Sequence, residues 1–552
     1  MTNKRTIIQE LFERNCLITP ESFEMLQKLN EDTIDVKSLA QLLENEIVIT
    51  PELLEEALSS LKKESSHDLE TRIGKPDEKK LQTESLGKNH SKMNETGTLD
   101  LKVNQSTQET KFKTKPRTEK EITYEFEPLG KKVKSDIRVT KDTTKKSAIE
   151  GEITDFQTYF YSRYKQLSSI LRKRGDLRNA MKIRDIHRIK QKNREQLVII
   201  AMVTEKTTLR NGGIILELED PTDSISASIS SKKEELLLKA GKLLEDQVAG
   251  FFGRFYQNRF YIDDFVFPDI PMVSTKMNSK EPVSVCMTSD LHIGSQEFLE
   301  DSFLELINFL HGKADSPYHR KIASQIKYLL ICGDLVDGIG VYPGQKKDLI
   351  IPDIYGQYDH AAELLAKVPD WIHIVIISGN HDACRLALPQ PAIGKSYAKK
   401  LYELPNVSIL SNPATFELHG KRFLMYHGNS FEDITSLTPG LNMNEPNGPM
   451  IYSLRFRHLA PTFGRRTSII PSKKDDLVIN TVPDVFHTGH IHINSHTHYR
   501  GVQCINSGTF QSQTDFMISK NINPTPGRVP ILNLQTNKLQ ELIFYESSEV
   551  KQ

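Results

Sequence analysis

Apolar residues follow two rhythms along this chain, and each change of rhythm marks a boundary. Ile7, Ile8, Leu11 and Phe12, then Phe23, Leu26 and Leu29, recur at helical spacing. Thr19-Pro20-Glu21 and Thr50-Pro51-Glu52 read as N-caps with proline at the first helical position, so residues 1–62 are expected to form a small α-helical domain. Residues 63–150 are rich in charge, Thr, Ser and Asn, with Phe112, Tyr124 and Phe126 as the aromatics. Such a stretch has too little apolar area to offset the entropy of ordering and is expected to be a disordered linker. Helical spacing returns at Tyr161, Tyr164, Leu167, Ile170 and Leu171, and between Arg163 and Arg194 it is interleaved with 12 Lys/Arg against Asp176 and Asp185. Residues 151–195 therefore read as a basic helical connector, whose charged face is either simply solvated or contacts a phosphate backbone.

The rhythm then shortens to that of strands. Leu197–Val203, Gly213–Leu218 and Ser224–Ile229, a helix-like Lys232–Leu244, then Val248–Tyr256 and Arg259–Phe265, with Asn211-Gly212 as a hairpin signal, predict a small five-stranded barrel over residues 196–272. The order resembles oligonucleotide-binding folds, which serve protein contacts as readily as single strands. From Pro282 to about residue 547, strand, loop and helix alternate: Val283–Met287, Phe303–Leu310, Tyr328–Cys332, His360–Ala366, Ile372–Ile377, Phe423–Tyr426, Val485–Phe486 and Val502–Ile505. This is the pattern of a layered α/β domain.

Composition adds mainly exclusions. With 552 residues the chain needs several domains, and 72 basic against 72 acidic residues leave no global field to attract nucleic acid, so any such footprint must be local. Five scattered cysteines with no C-x-x-C spacing argue against a disulfide framework or a thiolate zinc site and fit a reducing cytoplasm. No run of 18 apolar residues is present and the charged N-terminus is no signal segment, so a soluble protein without membrane association is expected.

Candidate chemistry sits at the ends of the α/β strands. Ser289-Asp290-Leu291-His292-Ile293-Gly294, Gly333-Asp334-Leu335-Val336-Asp337-Gly338, Ser378-Gly379-Asn380-His381-Asp382, His427-Gly428-Asn429-Ser430 and Gly489-His490-Ile491-His492 each follow an apolar strand. A lone Asp-x-His is ordinarily an exposed carboxylate and a packed imidazole. Five such loops in order, all with glycine beside hard oxygen or imidazole donors and none with thiolate, point instead to a site for Mn²⁺, Fe²⁺, Zn²⁺ or Mg²⁺. An extended backbone is expected to put Asp290 and His292, and likewise His490 and His492, on one face, each pair forming a clip. Open α/β sheets bind ligands at the carboxyl ends of their strands, where the five loops would meet. His458 could replace His427 as a ligand, but His427 directly follows an apolar strand whereas His458 reads better as packed or touching substrate; His373, His419, His487, His496 and His498 read as surface or packing residues, and Asp337 as shaping its loop.

The order Asp-x-His, Gly-Asp, Gly-Asn-His-Asp, His-Gly, Gly-His-x-His resembles the calcineurin-like metallophosphoesterases, which are built on a two-sheet sandwich flanked by helices. The resemblance implies two divalent cations, one held by Asp290, His292 and His492 and one by Asn380, His427 and His490, with Asp334 bridging them. It further implies His381 as general acid, oriented by Asp382, with Arg385 and His458 against substrate. With the upstream helices, linker and barrel, and with Arg457-His458-Leu459-Ala460-Pro461 and Val502–Phe510, the chain resembles the small-subunit family of archaeal family D DNA polymerases, kin to the B subunits of eukaryotic replicative polymerases. That resemblance implies a heterodimer with a large catalytic subunit and a Mn²⁺-dependent 3′→5′ proofreading exonuclease on single-stranded or mismatched DNA ends. It also suggests that the N-terminal helical domain docks separately, on the large subunit or the sliding clamp. Eukaryotic relatives have largely lost the ligands; here every position is filled, which predicts catalytic competence. The alternatives are another phosphoesterase, such as a phosphatase or cyclic-nucleotide phosphodiesterase, and a non-catalytic assembly subunit.

Overall fold

Five apolar runs of the α/β region become strands, ending at Thr288, Cys332, Ile377, Met425 and Thr488, and each hands the chain to one of the polar loops. In the computed structural model the described residues are 126–147, 149, 151–189, 195–272 and 278–545, with the short strands Leu17–Ile18, Val48–Ile49 and Glu109–Lys111. The chain divides into two units, Met1–Asp100 and Leu101–Gln552. In the first, Leu17–Ile18 pairs in parallel with Val48–Ile49, and the helical domain expected over 1–62 otherwise lies outside the described residues.

The second unit holds two sheets and a barrel. Strands Ser284–Thr288, Ile326–Cys332, His373–Ile377 and Val407–Leu410 run parallel in a seven-stranded sheet that continues through antiparallel Arg528–Asn533 and Leu539–Ile543. In the six-stranded sheet, Lys421–Met425, Val485–Thr488 and Val502–Ser507 are mutually parallel, flanked by Asn494–Tyr499 and Ala414–Leu418. Continuous apolar runs suit strands covered on both faces. Val285, Met287, Leu330 and Val375 of the first sheet meet Phe416, Phe423, Met425 and Val485 of the second in one buried cluster. The helices Glu300–Leu310 and Ile354–Leu365 cover the first sheet's far face through Phe303, Leu306, Ala361 and Leu365. This is the layered α/β domain that the strand pattern predicts, in the form of the sandwich flanked by helices that the resemblance implies.

Strands Leu197–Thr208, Ile214–Asp220, Asp223–Ile229, Val248–Tyr256 and Arg259–Val266 close a barrel, with helix Glu234–Gly241 between the third and fourth. Barrel residues such as Phe251 and Phe265 share a cluster with Phe456, Phe486 and Cys504, so the barrel packs on the second sheet's outer face.

Two expectations need correction. The linker is not featureless throughout: Ile137–Lys141 adds to the second sheet against Ala414–Leu418, and Glu109–Lys111 adds to the first beside Leu539–Ile543. An added edge strand draws its hydrogen bonds from an existing sheet and needs no core of its own, and Phe126, Val133 and Ile137 each tuck against the clusters below. The basic helix, Ile153–Leu171, does not offer Arg163 to solvent. Arg163 is fully buried, its Nε donating to Asp475 at 2.8 Å and its Nη2 to the Tyr159 hydroxyl at 2.9 Å, so it fastens the helix to the sandwich. Among the described residues no helix is long and apolar enough to cross a membrane.

Candidate metal centre

The carboxyl ends of parallel strands from both sheets open onto one cleft, and the five polar loops meet there. Tight turns make this convergence possible. Asp290, His292, Asp334, His490 and His492 all have left-handed backbones, with φ of +51°, +51°, +49°, +70° and +64°. Residues i and i+2 therefore share a direction because two left-handed residues alternate with ordinary ones, not because the backbone is extended as the sequence pattern suggested. Non-glycine residues rarely adopt this conformation, and each such residue stores on the order of 1 kcal/mol that the surrounding fold must supply. Gly333, at φ +89°, admits His427 to the site: a Cβ there would stand 2.5 Å from the His427 Nδ1. At Gly379 a Cβ would collide with the Asp334 carboxylate.

Three groups of donors result, one of them His292, Asp337 and His381, and the other two hold expected ligands. Asp290, His292 and His492 bring their ligand atoms within 4.8 Å of one another, as do Asp334, His427 and His490. The groups interlock, with His427 Nε2 lying 3.1 Å from Asp334 Oδ2 and 4.0 Å from Asp290 Oδ1, and His292 Nε2 lying 3.9 Å from Asp334 Oδ2. Asn380 Oδ1 is 3.0 Å from His427 Nε2 and so joins the second group. All seven expected ligands are brought together, with Asp334 between the two halves. His458 is not among them.

Four of the donors, His427, His292, Asp290 and Asp334, are aimed by further bonds. His427 Nδ1 donates to the Cys332 carbonyl at 2.8 Å and His292 Nδ1 to Asp337 at 3.0 Å, which frees both Nε2 atoms for the cleft. Asp290 Oδ2 accepts from Ser289 Oγ at 2.5 Å and from the His490 amide at 2.9 Å; Asp334 Oδ1 accepts from the His381 amide at 2.7 Å.

The donor set fits divalent cations. Asp290 Oδ1 and His492 Nδ1 are buried without a hydrogen-bond partner, and the Nε2 atoms of His292 and His492 face each other at 3.1 Å. Buried unpaired acceptors are costly unless something positive lies among them. Burial pushes the Asp334 carboxyl up, yet His427, His381 and His292 hold it well below the usual carboxylate range. Burial likewise disfavours a charged His427, but Asp334 and Asp290 overcome it and lift the imidazole to about 9. The carboxylates thus draw positive charge into the pocket, in a form that a cation can displace. His490, half-buried and close to His427, is pushed down to about 3 by desolvation and presents a neutral nitrogen.

His381 stands at the mouth, its side chain 17% exposed where those of His292 and His427 are 2% and 0%. Its Nδ1 donates to the Asp337 carbonyl at 2.7 Å and lies 3.9 Å from the Asp337 carboxylate. Asp337, not Asp382, is therefore its partner. Asp382 accepts instead from the amides of Gly379 at 2.9 Å and Leu335 at 3.4 Å and from the Tyr358 hydroxyl at 3.1 Å, which ties together the loops carrying Asn380 and Asp334.

The two expected substrate contacts also need correction. His458 is 2% exposed, its Nε2 donating to Asp475 at 2.8 Å and its Nδ1 accepting from the Ala460 amide at 3.1 Å, so neither nitrogen is left for substrate. The Arg385 guanidinium is occupied by Ser147, Ala387 and Pro389 oxygens and braces the loop after His381. As expected, His373, His419 and His487 are packing residues, bonded to Ser408, Tyr328 and Ser507. Sequence reasoning undervalued Asp337, which also accepts from Gln345 at 2.8 Å and from Gln511 at 3.3 Å. Its place three residues after Asp334, on the same loop, was the available signal.

Residues 285–497 match the family of B subunits of DNA polymerases alpha and epsilon. The DNA polymerase II small subunit of Methanothermobacter thermautotrophicus is 43% identical over 407 residues, covering 74% of this chain and 83% of that protein. Its namesake in Pyrococcus horikoshii is 42% identical over 436 residues, covering 76% and 69%. Among solved structures, an archaeal phosphodiesterase aligns over 47% of this chain and 98% of its own at 12% identity, with a TM-score of 0.24 that is too low to carry any argument. With such identity across most of both sequences, the chain belongs to the family of archaeal DNA polymerase II small subunits.

Proposed function

We propose that this subunit is itself a nuclease, a two-metal phosphodiesterase that removes nucleotides from single-stranded or mismatched 3′ ends of DNA while bound to a large polymerase subunit. The observation that carries the reading is the interlocked donor set: Asp290, His292 and His492 beside Asp334, Asn380, His427 and His490, with nitrogen and oxygen atoms unpaired among them. A subunit serving only assembly has no need to keep five strained left-handed residues aimed at one point.

In this reading Asp290, His292 and His492 would hold one cation and Asn380, His427 and His490 the other, with Asp334 lying between the two groups. A pair of divalent cations, Mn²⁺ by preference with Mg²⁺, Fe²⁺ or Zn²⁺ as alternatives, supplies an activated water and neutralises charge on the phosphoryl oxygens. The protein's own part is positioning and proton transfer. Asp337 fixes the His292 ring through Nδ1. The same residue's carbonyl accepts a hydrogen bond from His381 Nδ1, so the proton for the departing 3′ oxygen would come from Nε2 of the imidazolium, which the transfer leaves neutral. Asp382 and Tyr358 keep the intervening loops in register. The closed barrel, of a kind that can serve single strands, and the exposed Lys173, Arg178 and Arg184 beyond the connector helix direct the reading to DNA.

The test of substrate class is to offer the purified chain, with and without its large subunit, a labelled single strand and p-nitrophenyl phosphate under Mn²⁺. Preferential release of nucleotides from the strand is expected. Preferential hydrolysis of p-nitrophenyl phosphate would make the protein a phosphatase instead.

A further inference from the structure

In hydrolysis of a 3′-terminal nucleotide the departing oxygen belongs to the strand that remains. The retained strand must therefore leave the site on the side of His381, and the rim on that side has a distinct construction. Gly338 lies directly against the His381 backbone, and Ile339 and Val341 beyond it are 48% and 39% exposed. The buried Gln357 clamps this loop, accepting from the Gly338 amide at 2.9 Å and donating to its carbonyl at 3.1 Å. One residue further along the same helix, Tyr358 donates to Asp382. Two residues before Gln357, in the helix's first turn, Tyr355 stands 52% exposed.

Tyr355 is stacked on Tyr397, ring centroids 5.6 Å apart and planes inclined by 24°. The Tyr397 segment is moored to the same machinery, since Ser378, the residue before Gly379-Asn380-His381, donates to the Pro391 carbonyl at 2.6 Å. Neither tyrosine belongs to the apolar clusters beneath. The pair is thus a half-exposed aromatic surface, on segments tied on both sides to the loops that hold His381. Exposed Lys395 flanks Tyr397, while Lys399 lies 4.0 Å from Glu403 and Lys400 is occupied by Asp359 at 2.8 Å.

We propose that the Tyr355–Tyr397 pair is the platform on which bases of the retained single strand stack as its 3′ end enters the metal centre. The assignment rests on the nuclease reading above for the direction of the strand. Every base has a π-face, so stacking holds a strand of any sequence, as an enzyme that removes whatever nucleotide stands last requires. It also favours an unpaired end, whose bases are free to leave the duplex stack.

The experiment reads binding without hydrolysis. A 5′-fluorescein strand with a hydrolysis-resistant phosphorothioate at its last linkage is titrated with the full chain in Mn²⁺ and followed by anisotropy, alongside the same strand with abasic residues before the terminal nucleotide. The wild type should bind the intact strand about tenfold more tightly than the abasic one. Tyr355→Ala and Tyr397→Ala should each lose roughly that factor on the intact strand and bind the abasic strand as the wild type does, and Tyr355→Phe and Tyr397→Phe should retain it. The platform is overturned if the wild type does not distinguish the strands, if the alanine variants bind the intact strand normally, or if they weaken both strands equally. A chain that shows ring-dependent binding yet shortens no 3′ end removes the nuclease reading and leaves the platform. One that shortens ends and is indifferent to the rings does the reverse.

Discussion

Asp337 connects the two tasks of the site: its carboxylate orients His292 and its carbonyl orients His381. Removing its charge while keeping its shape separates these roles. Asp337→Asn should weaken Mn²⁺ binding by about 10- to 100-fold, read by calorimetry, because an imidazole ligand loses its aiming partner. His381→Ala should leave Mn²⁺ affinity in place and lower the nuclease kcat by about 10² to 10⁴, the range for one proton donor. His458 predicts a pH effect away from the site. Burial, then the nearby Arg163, pushes its imidazole from 6.5 down to about 4. Below pH 6.5 the unfolded chain takes a proton that the folded one refuses. This residue's share of stability, roughly 3 kcal/mol, is therefore present above that pH and lost as pH falls toward 4. His458→Asn should flatten the fall in thermal midpoint between pH 6.5 and 4.5; parallel wild-type and variant slopes would show that His458 contributes none of it.

At the scale of elements, helix Ile153–Leu171 is held to the sandwich by a charge buried on both sides, with Arg163 and Asp475 each wholly inside. Losing one partner of such a pair leaves an uncompensated charge, so Arg163→Met should destabilise the fold by about 3 to 5 kcal/mol in denaturant, and Asp475→Leu added to it should restore part of that. The sequence could not show this pairing, because Asp475 lies in an irregular segment far along the chain and a cation within a basic run reads as solvated. Strand positions were far more legible: Val285, Leu330 and Val375 sit in continuous apolar runs that suit covered parallel strands. The Asp290/His292 and His490/His492 pairs were picked out by spacing while their geometry was misread, since i, i+2 spacing is the same in an extended strand and in alternating left-handed turns, and φ is not written in residue type except at glycine.

Over the whole molecule, the barrel and a layered α/β domain followed from periodicity and the two-sheet form from the resemblance, whereas the edge strand Ile137–Lys141 followed from neither. Its partner, Ala414–Leu418, supplies order from far along the chain, as in the Thr140 hydroxyl bonded to the Thr415 carbonyl with a separation of 275 residues, and composition reports only what a segment can bury by itself. The same logic makes the centre a property of the whole sandwich, because the Asp290, Asp334 and Asn380 loops come from one sheet and the His427 and His490 loops from the other. The most direct test follows strands labelled at the 5′ or the 3′ end, incubated with the wild-type chain and its large subunit in Mn²⁺, beside a complex carrying Asp334→Ala. A two-metal 3′→5′ nuclease predicts a descending ladder from the 5′-labelled strand and immediate release of the 3′ label, both abolished by the substitution and by chelation. An unshortened strand with the wild type, or shortening that survives Asp334→Ala, would contradict it.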